Sequence, residues 1–215
     1  MLRERTDDIR RLQVIHPPKP IAAEVTIPPP MRKGLVSLEE ILCRRRSVRE
    51  FADRPLTDEQ IGQLLWAAQG ITDPQGLRTA PSAGALYALE TYMATANGFY
   101  KYIPESHRME RQSVEDLRRA LYLAAWEQES VLGAAAVFVI VAIYSRLAEK
   151  YGEERSVRYA HLEAGHAAQN LLLQAAALGL ASVPVGAFRD GQVQTALSLP
   201  WEQTPLYLIP VGAAT

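Results

Sequence analysis

The sequence is poor in features that mark several classes of protein. Its 215 residues include one cysteine, Cys43, so an intrachain disulfide is excluded. The 23 basic and 24 acidic side chains give a net charge of −1, which offers no electrostatic basis for binding nucleic acid or an anionic membrane. The central apolar run, residues 131–144, is too short to span a bilayer, and charged residues 3–8 replace a signal-peptide core. We therefore expect a soluble, cytoplasmic protein.

Proline marks the organisation of the chain. Six of the 14 prolines fall within residues 1–34, where they favour extended polyproline-like backbone. This segment is predicted to be an arm that wraps a neighbouring subunit, because Ile21, Val25 and Ile27 need cover. Residues 35–215 are predicted to form one compact domain.

Apolar periodicity and end signals predict a mixture of helices and strands in that domain. Ser37 and Thr57 each have a helix-start pattern, with Glu40 and Gln60 three residues later. Asn97-Gly98 predicts a hairpin turn, and Pro210 confines the last strand to a sheet edge or an unpaired position. The predicted helices are 57–70, 114–125, 154–178 and 191–197; the predicted strands are 88–96, 99–103, 134–143 and 206–211, with 182–188 a loop or short strand.

The helix predicted over residues 154–178 carries a narrow polar stripe among alanines and leucines. A helix that is apolar around most of its circumference must be buried, and we expect a second subunit to cover it. The stripe is then a hydrogen-bonded seam; alternatively, it is the solvent face. Its members are Tyr159, Glu163, His166, Asn170 and Gln174.

Four basic groups and a hydroxyl are concentrated in residues 44–49. Arg45 and Arg49 are spaced i, i+4 and can converge from one side of a short helical turn, with Ser47 between them. Guanidinium groups bind phosphate through bidentate, charge-assisted hydrogen bonds, so these residues are candidates for a phosphate cradle. The alternative is a solvated basic turn at a helix C-terminus, where positive charge is favourable.

Other familiar sites are excluded by spacing. Glu163 and His166 have the Glu-x-x-His spacing of di-iron bundles, but no second copy occurs. His161 and His166 point to different helix faces, so they do not form a zinc pair. The chain has no dinucleotide-binding glycine fingerprint, no phosphate-binding Walker loop and no nucleophile elbow. No metal site is expected.

Several segments, in order, resemble the flavin-dependent nitroreductase family, in the form of its SagB-type dehydrogenase branch. The similarity extends over about residues 37–212 and depends on six motifs rather than one. The segments are 45–51 (RRSVREF), 80–87 (APSAGALY), 150–152 (KYG), 165–171 (GHAAQNL) with 179–180 (GL), 184–188 (PVGAF) and 206–212 (LYLIPVG).

The resemblance implies an α+β fold, a central and mostly antiparallel sheet flanked by helices, in an intertwined homodimer with two FMN sites built by both subunits. Arg45, Ser47 and Arg49 would hold the FMN phosphate, with Arg46 assisting. Small residues of the second motif would reach the flavin from the partner subunit, and the PVG segment would face flavin N5. The small-residue group is Pro81, Ser82, Ala83 and Gly84, and the loop group is Pro184, Val185 and Gly186.

The implied activity is an FMN-dependent oxidoreductase that passes hydride from NAD(P)H through flavin N5 to a small nitro or quinone acceptor. One alternative is an azoline dehydrogenase acting with partner proteins on peptide-derived thiazoline or oxazoline rings. In azoline-oxidising members a Lys-Tyr pair abstracts a proton, and Lys150 and Tyr151 match it, although they also fit a plain loop. The absence of an added peptide-docking domain argues against this alternative. Another is a non-catalytic flavin-binding dimer.

The sequence departs from the branch at two places. Many relatives have a basic residue after the final Val-Gly, whereas Ala213 follows Gly212 here. We therefore expect FMN affinity to depend heavily on Arg45 and Arg49. The hairpin around residues 97–100 is short, which would reshape the substrate side.

Overall fold

A computed structural model describes residues 23–215, which form a seven-stranded sheet with helices on both faces. Every neighbouring pair of strands is antiparallel, and the order is β1-β4-β3-β2-β5-β7-β6. The strands are β1 (Ala23–Thr26), β2 (Leu89–Thr95), β3 (Gly98–Ile103), β4 (Arg108–Ser113), β5 (Ala136–Ile143), β6 (Leu180–Ser182) and β7 (Gln203–Ala213). The helices are α1 (Leu38–Arg44), α2 (Asp58–Gln69), α3 (Arg118–Ala124), α4 (Glu129–Leu132), α5 (Ser145–Tyr151), α6 (Glu153–Ala177) and α7 (Asp190–Ala196).

Strand β5 is the centre of the sheet and is covered on both faces. Residues 136–142 are buried, as the continuous apolar run predicted. Phe138 and Ile140 point into one hydrophobic cluster, whereas Val137, Val139 and Val141 point into the other. Burial of such side chains contributes about 1.5–3 kcal/mol each, so β5 anchors both layers of the core.

Helices from different parts of the chain cover the two faces. Buried side chains of α2, α5 and α6 belong to the first cluster, and those of α3, α4 and α7 belong to the second. This arrangement confirms the predicted α+β fold with an antiparallel sheet flanked by helices. Across residues 23–215, no helix combines the length and apolarity needed to cross a bilayer.

Several predicted ends coincide with the observed ones. At Thr57 the full capping box forms: Gln60 N donates to Thr57 Oγ1 at 3.3 Å, and Thr57 N donates to Gln60 Oε1 at 3.0 Å. Ser37 caps α1 through Glu40 N. Helix α6 ends one residue earlier than predicted and is followed by Gly179 at φ +69°.

Strand β4 was not predicted, and the helix predicted over 114–125 is shorter than expected. The sequence of β4, RMERQS, has one large apolar residue, Met109, and that side chain is buried. The strand is stabilised by pairing with β1 on one side and β3 on the other, which its own pattern does not reveal. Residues 114–117 form a bend before α3, where Arg118 holds the pKa of Asp116 below its usual value.

The prediction that Pro210 marks a sheet edge is wrong, because β7 lies between β5 and β6. The alternative, an unpaired position, applies only to the missing N–H on the β6 side, because Pro210 is in register with Val137 of β5. Pro210 O accepts from Val183 N at 3.2 Å, just beyond the last paired residue of β6, Ser182. Since N and O of one strand residue point to the same side, the missing N–H faces the place where β6 has ended.

The predicted arm is described only from residue 23 onward, so Ile21 lies outside the described residues. Strand β1 joins the chain's own sheet, Ile27 is buried, and Val25 packs against the first cluster. The chain itself therefore provides the cover that Val25 and Ile27 need. The division at residues 34/35 and a contact with a neighbouring subunit stay predictions.

The polar stripe of α6 faces the body of its own chain. Asn170 Nδ2 donates to Thr79 O at 3.1 Å, Gln63 Nε2 donates to Gln174 Oε1 at 3.2 Å, and Glu163 is buried. His166 is exposed. These three residues form hydrogen bonds or are buried within one chain, so the expectation of a plain solvent face is wrong for them, and cover by a second subunit stays a prediction.

We predict that Thr57→Ala lowers the free energy of unfolding by about 1 kcal/mol, because the first turn of α2 loses the hydroxyl that accepts from Gln60 N. Urea denaturation followed by circular dichroism measures the change. The control is Thr57→Ser, which keeps the hydroxyl and should retain most of the stability. Equal losses in both variants would contradict the capping explanation.

Candidate active site

The arginine-rich segment lies along the outer edge of β6. Arg45 is the C-cap of α1, and the chain then runs beside Ser182, with Val48 N donating to Ser182 O at 3.0 Å. Ser47 and Ser182 form a parallel bridge. Helix α1 thus delivers the predicted phosphate residues to the end of the sheet.

A close approach to β7 fixes the far end of this segment. Ala52 bridges Ala213, and Phe51 packs on Gly212 so closely that a Cβ at residue 212 would lie 2.7 Å from Phe51 Cβ. Any larger residue at 212 would push Phe51 outward. Glycine here therefore holds Arg49, two residues earlier in the chain, against the sheet edge.

The segment presents positive charge that is not neutralised by described residues. Arg44 pairs with Glu40, but Arg45, Arg46 and Arg49 make no ion pair with any residue in 23–215. Arg46 Nη1 donates to Arg45 O at 2.7 Å. Arg45 is half-buried, whereas Arg46, Ser47 and Arg49 are exposed. Three neighbouring guanidinium groups of this kind suit a phosphate or another anion.

The predicted PVG loop continues directly from Ser182. Val185 is buried and exchanges backbone hydrogen bonds with Leu208 of β7, at 2.8 and 3.0 Å. Pro184 is half-buried and Gly186 is exposed. We call residues 45–49 together with residues 182–186 the arginine edge. The arginine edge thus contains both the predicted phosphate residues, 45–49, and the predicted loop group, 184–186.

The predicted small-residue group, residues 81–84, lies in a tight turn formed by residues 81–87, which we call the glycine turn. Ser82 Oγ and Ala83 N donate to the same carboxylate oxygen, Glu163 Oε1, at 2.8 and 2.9 Å. Ser82 Oγ also accepts from Tyr87 N at 2.8 Å. Pro81 and Gly84 are exposed, and Gly84 has φ +62°.

Lys150 and Tyr151 lie over the glycine turn, at the end of α5 rather than in a loop. A Cβ built on Gly84 would lie 2.7 Å from Tyr151 Oη and 2.9 Å from Lys150 Nζ. Tyr151 is half-buried and packs edge-on against Tyr159, with ring centroids 5.0 Å apart. Lys150 is exposed in the single chain.

Ser182, where residues 45–49 join the arginine edge, and the glycine turn lie toward opposite ends of β5, whereas Val185 is level with Val139 near the middle of that strand. Ser182 is in register with Val211 and, across β7, with Ala136 at the start of β5. The strand that follows the glycine turn begins at Leu89, which pairs with Ala142 at the other end of β5. Six residues of strand separate these positions by about 20 Å. One chain does not bring the two groups together.

Large apolar side chains are exposed on α1 and α6, two helices that contact each other. Leu38 and Leu42 of α1 are 59% and 53% exposed, and Leu162 of α6 is 56% exposed. Exposed apolar patches on soluble proteins commonly mark interaction sites. We call this surface the α1–α6 face.

The sequence did not reveal that Glu163 belongs to the site. Its place on the polar stripe showed that it shares a face with Asn170, but not that this face meets the glycine turn. Tyr87 was quoted only as part of a motif, although its ring stacks under the Arg78 guanidinium at 4.5 Å. Among the described residues, no cluster of histidine, cysteine and carboxylate side chains could hold a metal ion.

The helix-covered antiparallel sheet, with an arginine cluster at one edge and a glycine turn that leads into β2, is compatible with an oxidoreductase, the class to which the family match assigns the chain. Residues 42–213 match the Nitroreductase family, and the chain belongs to that family.

Individual proteins agree with this membership. A protein of Methanocaldococcus jannaschii, provisionally named a nitroreductase, is 44% identical over 183 residues, which cover 82% of this chain and 91% of that protein. A crystal structure from Ralstonia eutropha, also provisionally named a nitroreductase, is 30% identical with a TM-score of 0.81, covering 92% of this chain and 94% of that one. The Escherichia coli microcin synthetase McbBCD complex with truncated pro-MccB17 bound contains a chain 26% identical, with a TM-score of 0.71 and coverage of 80% and 70%.

We predict that Gly84→Ala destabilises the fold by about 1–2 kcal/mol, because alanine disfavours φ +62°, and that it displaces Tyr151. Thermal unfolding and tyrosine fluorescence measure the two effects. Gly191→Ala is the control, since residue 191 is helical with nothing within 4 Å of an added Cβ, and it should be neutral or stabilising. If both variants behaved alike, the close approach at Gly84 would be refuted.

Proposed function

We propose that the chain is an FMN-dependent oxidoreductase that uses NAD(P)H to reduce small nitro or quinone acceptors, and that it works as a homodimer. The observation that carries the proposal is the arginine edge. Arg45, Arg46 and Arg49 have no acidic partner among the described residues, and the segment that carries them runs beside Ser182, from which the PVG loop continues. NAD(P)H is a cytoplasmic metabolite, so the proposal places the reaction in the cytoplasm.

The chemistry of the arginine edge fits the anionic end of FMN. A phosphate monoester carries close to two negative charges near pH 7, and arginine forks bind such groups with two parallel hydrogen bonds. Arg45 and Arg49 would bind the phosphate, Ser47 would donate a hydroxyl, and Arg46 would add charge. Because Ala213 provides no further basic group, the affinity rests on these arginines.

A homodimer is proposed because one chain separates the two predicted halves of the site. Along β5, the strand that follows the glycine turn begins about 20 Å from the level of Ser182, beside which residues 45–49 lie, so a second copy is proposed to bring a glycine turn to each arginine edge. The exposed leucines of the α1–α6 face provide apolar surface for that contact. Each site would then combine the arginine edge of one protomer with the glycine turn of its partner.

The protein residues in this proposal bind and orient rather than exchange protons. When bound, FMN supplies the hydride-accepting ring. The arginine edge would fix its charged end, and the exposed backbone at Gly186 would offer a hydrogen-bond donor to the ring, a preorganised electrostatic contribution. The small residues of the glycine turn allow backbone to approach a flat ring closely.

A second candidate function is the oxidation of azoline rings in peptides, as in the SagB-type branch. Two observations favour it: Lys150 Nζ and Tyr151 Oη meet over Gly84, and the fold resembles a chain of the microcin synthetase complex. In this function Lys150 or Tyr151 would take a proton from the ring. The exposure of Lys150 requires that a partner subunit or substrate cover it first.

Anaerobic absorption spectroscopy separates the two candidates. The purified protein, reconstituted with FMN, is expected to show a flavin spectrum that is bleached by NADH or NADPH and restored by a quinone. Bleaching by a peptide azoline, with no response to either nicotinamide, would favour the second candidate. A protein that cannot bind FMN would refute both.

We predict that Arg49→Ala removes most of the bound FMN while the oligomeric state is unchanged, because a charge-assisted phosphate contact contributes about 1.5–3 kcal/mol. Flavin content after gel filtration and the FMN dissociation constant from fluorescence quenching measure the effect. Arg44→Ala is the matched control, since Arg44 is the neighbouring arginine already paired with Glu40. Wild-type flavin content in Arg49→Ala, or equal losses in both variants, would refute the phosphate assignment.

A further inference from the structure

We infer that Glu163 is a positioning residue: it holds the glycine turn in the shape that places Lys150 and Tyr151, and through that turn it sets flavin affinity. The effect on flavin rests on the proposed function. The hold on the turn does not, because it is a property of the protein alone.

The hydrogen bonds of Glu163 converge on one oxygen atom. Its Oε1 accepts from Ser82 Oγ at 2.8 Å and from Ala83 N at 2.9 Å. Ser82 Oγ is itself an acceptor for Tyr87 N, so the carboxylate, the hydroxyl and the Tyr87 amide form a continuous chain. Glu163 is 4% exposed, and a carboxylate that is so deeply buried is tolerated only where hydrogen bonds compensate for its lost hydration.

The glycine turn needs such support because its backbone is strained. Gly84, Ala85 and Tyr87 all have positive φ, at 62°, 54° and 50°. For alanine and tyrosine this conformation is unfavourable and persists only where surrounding contacts impose it.

The turn is held from both ends, by different elements. At the Tyr87 end, Arg78 N donates to Tyr87 Oη and Arg146 Nη1 donates to Tyr87 O, each at 3.0 Å. At the 82–83 end, the hydrogen bonds that described residues outside the turn provide all come from Glu163. This end therefore depends on one side chain of α6.

The position of Lys150 and Tyr151 follows from the same support. Their polar ends lie at the surface of Gly84, within 3 Å of where a Cβ would stand. If the 82–84 backbone moved toward α5, it would displace the Lys150 and Tyr151 side chains. If it moved away, a gap would open between Gly84 and these side chains. Because α6 packs against α2 and α5, Glu163 is mounted on a rigid element.

The first test uses flavin-free protein and amide hydrogen exchange at Ala83 and Tyr87. Glu163→Ala is expected to raise exchange at both amides by about tenfold or more, since both lose an acceptor directly or through Ser82. Glu163→Gln should retain most of the protection, because a single amide oxygen can accept both hydrogen bonds. Gln174→Ala is the matched control: it removes a hydrogen bond of the same helix, to Gln63, and should leave both amides unchanged.

Two results would overturn the inference. One is unchanged exchange in a folded Glu163→Ala variant, and the other is a Glu163→Gln variant that exchanges as fast as Glu163→Ala. If Glu163→Ala does not fold, Ser82→Ala decides instead. This substitution removes the hydroxyl that accepts from Tyr87 N and keeps the hydrogen bond from Ala83 N to Glu163. Only the Tyr87 amide should therefore exchange faster. If neither amide exchanged faster in Ser82→Ala, the inference would be overturned.

The second test measures FMN affinity in the same variants. Glu163→Ala should weaken FMN binding about tenfold or more, with Glu163→Gln and Gln174→Ala close to the wild type. Loss of protection at Ala83 without a change in FMN affinity would overturn the part that concerns flavin. If the wild-type protein itself binds no FMN, the proposed function fails, and the exchange experiment still decides the role of Glu163 in holding the turn.

Discussion

The rest of the structure depends on the burial of β5 on both faces. Its side chains alternate between two apolar clusters, so the sheet must be covered by helices on both sides, and neighbouring strands must pair with it along its full length. This fixes where β2 begins and where β7 ends. The glycine turn leads into β2, and Ser47 bridges Ser182 beside the end of β7, so the length of one buried strand sets the distance between these two candidate sets of residues.

Local signals in the sequence were sufficient where the structure is determined locally. The capping box at Thr57, the hairpin between β2 and β3 and the glycine after α6 involve residues a few positions apart. The capping box and the glycine were predicted correctly; the hairpin was also predicted, but its two turn residues are Ala96 and Asn97 rather than Asn97 and Gly98. Strand β4 depends on pairing with the preceding strand β3 and with the much earlier strand β1, and the interior position of β7 depends on pairing with β5 and β6. The polar sequence of β4 carries no record of the neighbours that stabilise it, so periodicity could not predict it.

The candidate site likewise divides into features that local sequence patterns predicted and features that depend on tertiary contacts. Motifs located each group of residues, but they did not show that Lys150 and Tyr151 touch Gly84, or that Glu163 supports the turn. A period of 3.6 residues indicates which side chains share a helix face, and it is silent about what that face contacts. Tertiary packing decides the partner: the stripe on α6 meets residues 79–83, and the same helix leaves Leu162 exposed.

The separation of the two groups also bears on how dimerisation and flavin binding relate. In the proposed homodimer each flavin contacts both protomers, so the free energy of binding flavin includes contacts that exist only in the dimer. Thermodynamic linkage then requires that flavin stabilise the dimer by the same factor by which dimerisation tightens flavin binding. In this proposal the arginine edge lies within one chain and would hold the phosphate without a partner. The flavin ring, in contrast, would contact the partner's glycine turn only when the α1–α6 face is covered in the dimer. Substitutions that weaken the dimer contact should therefore weaken the binding of the ring, while the contacts to the phosphate persist.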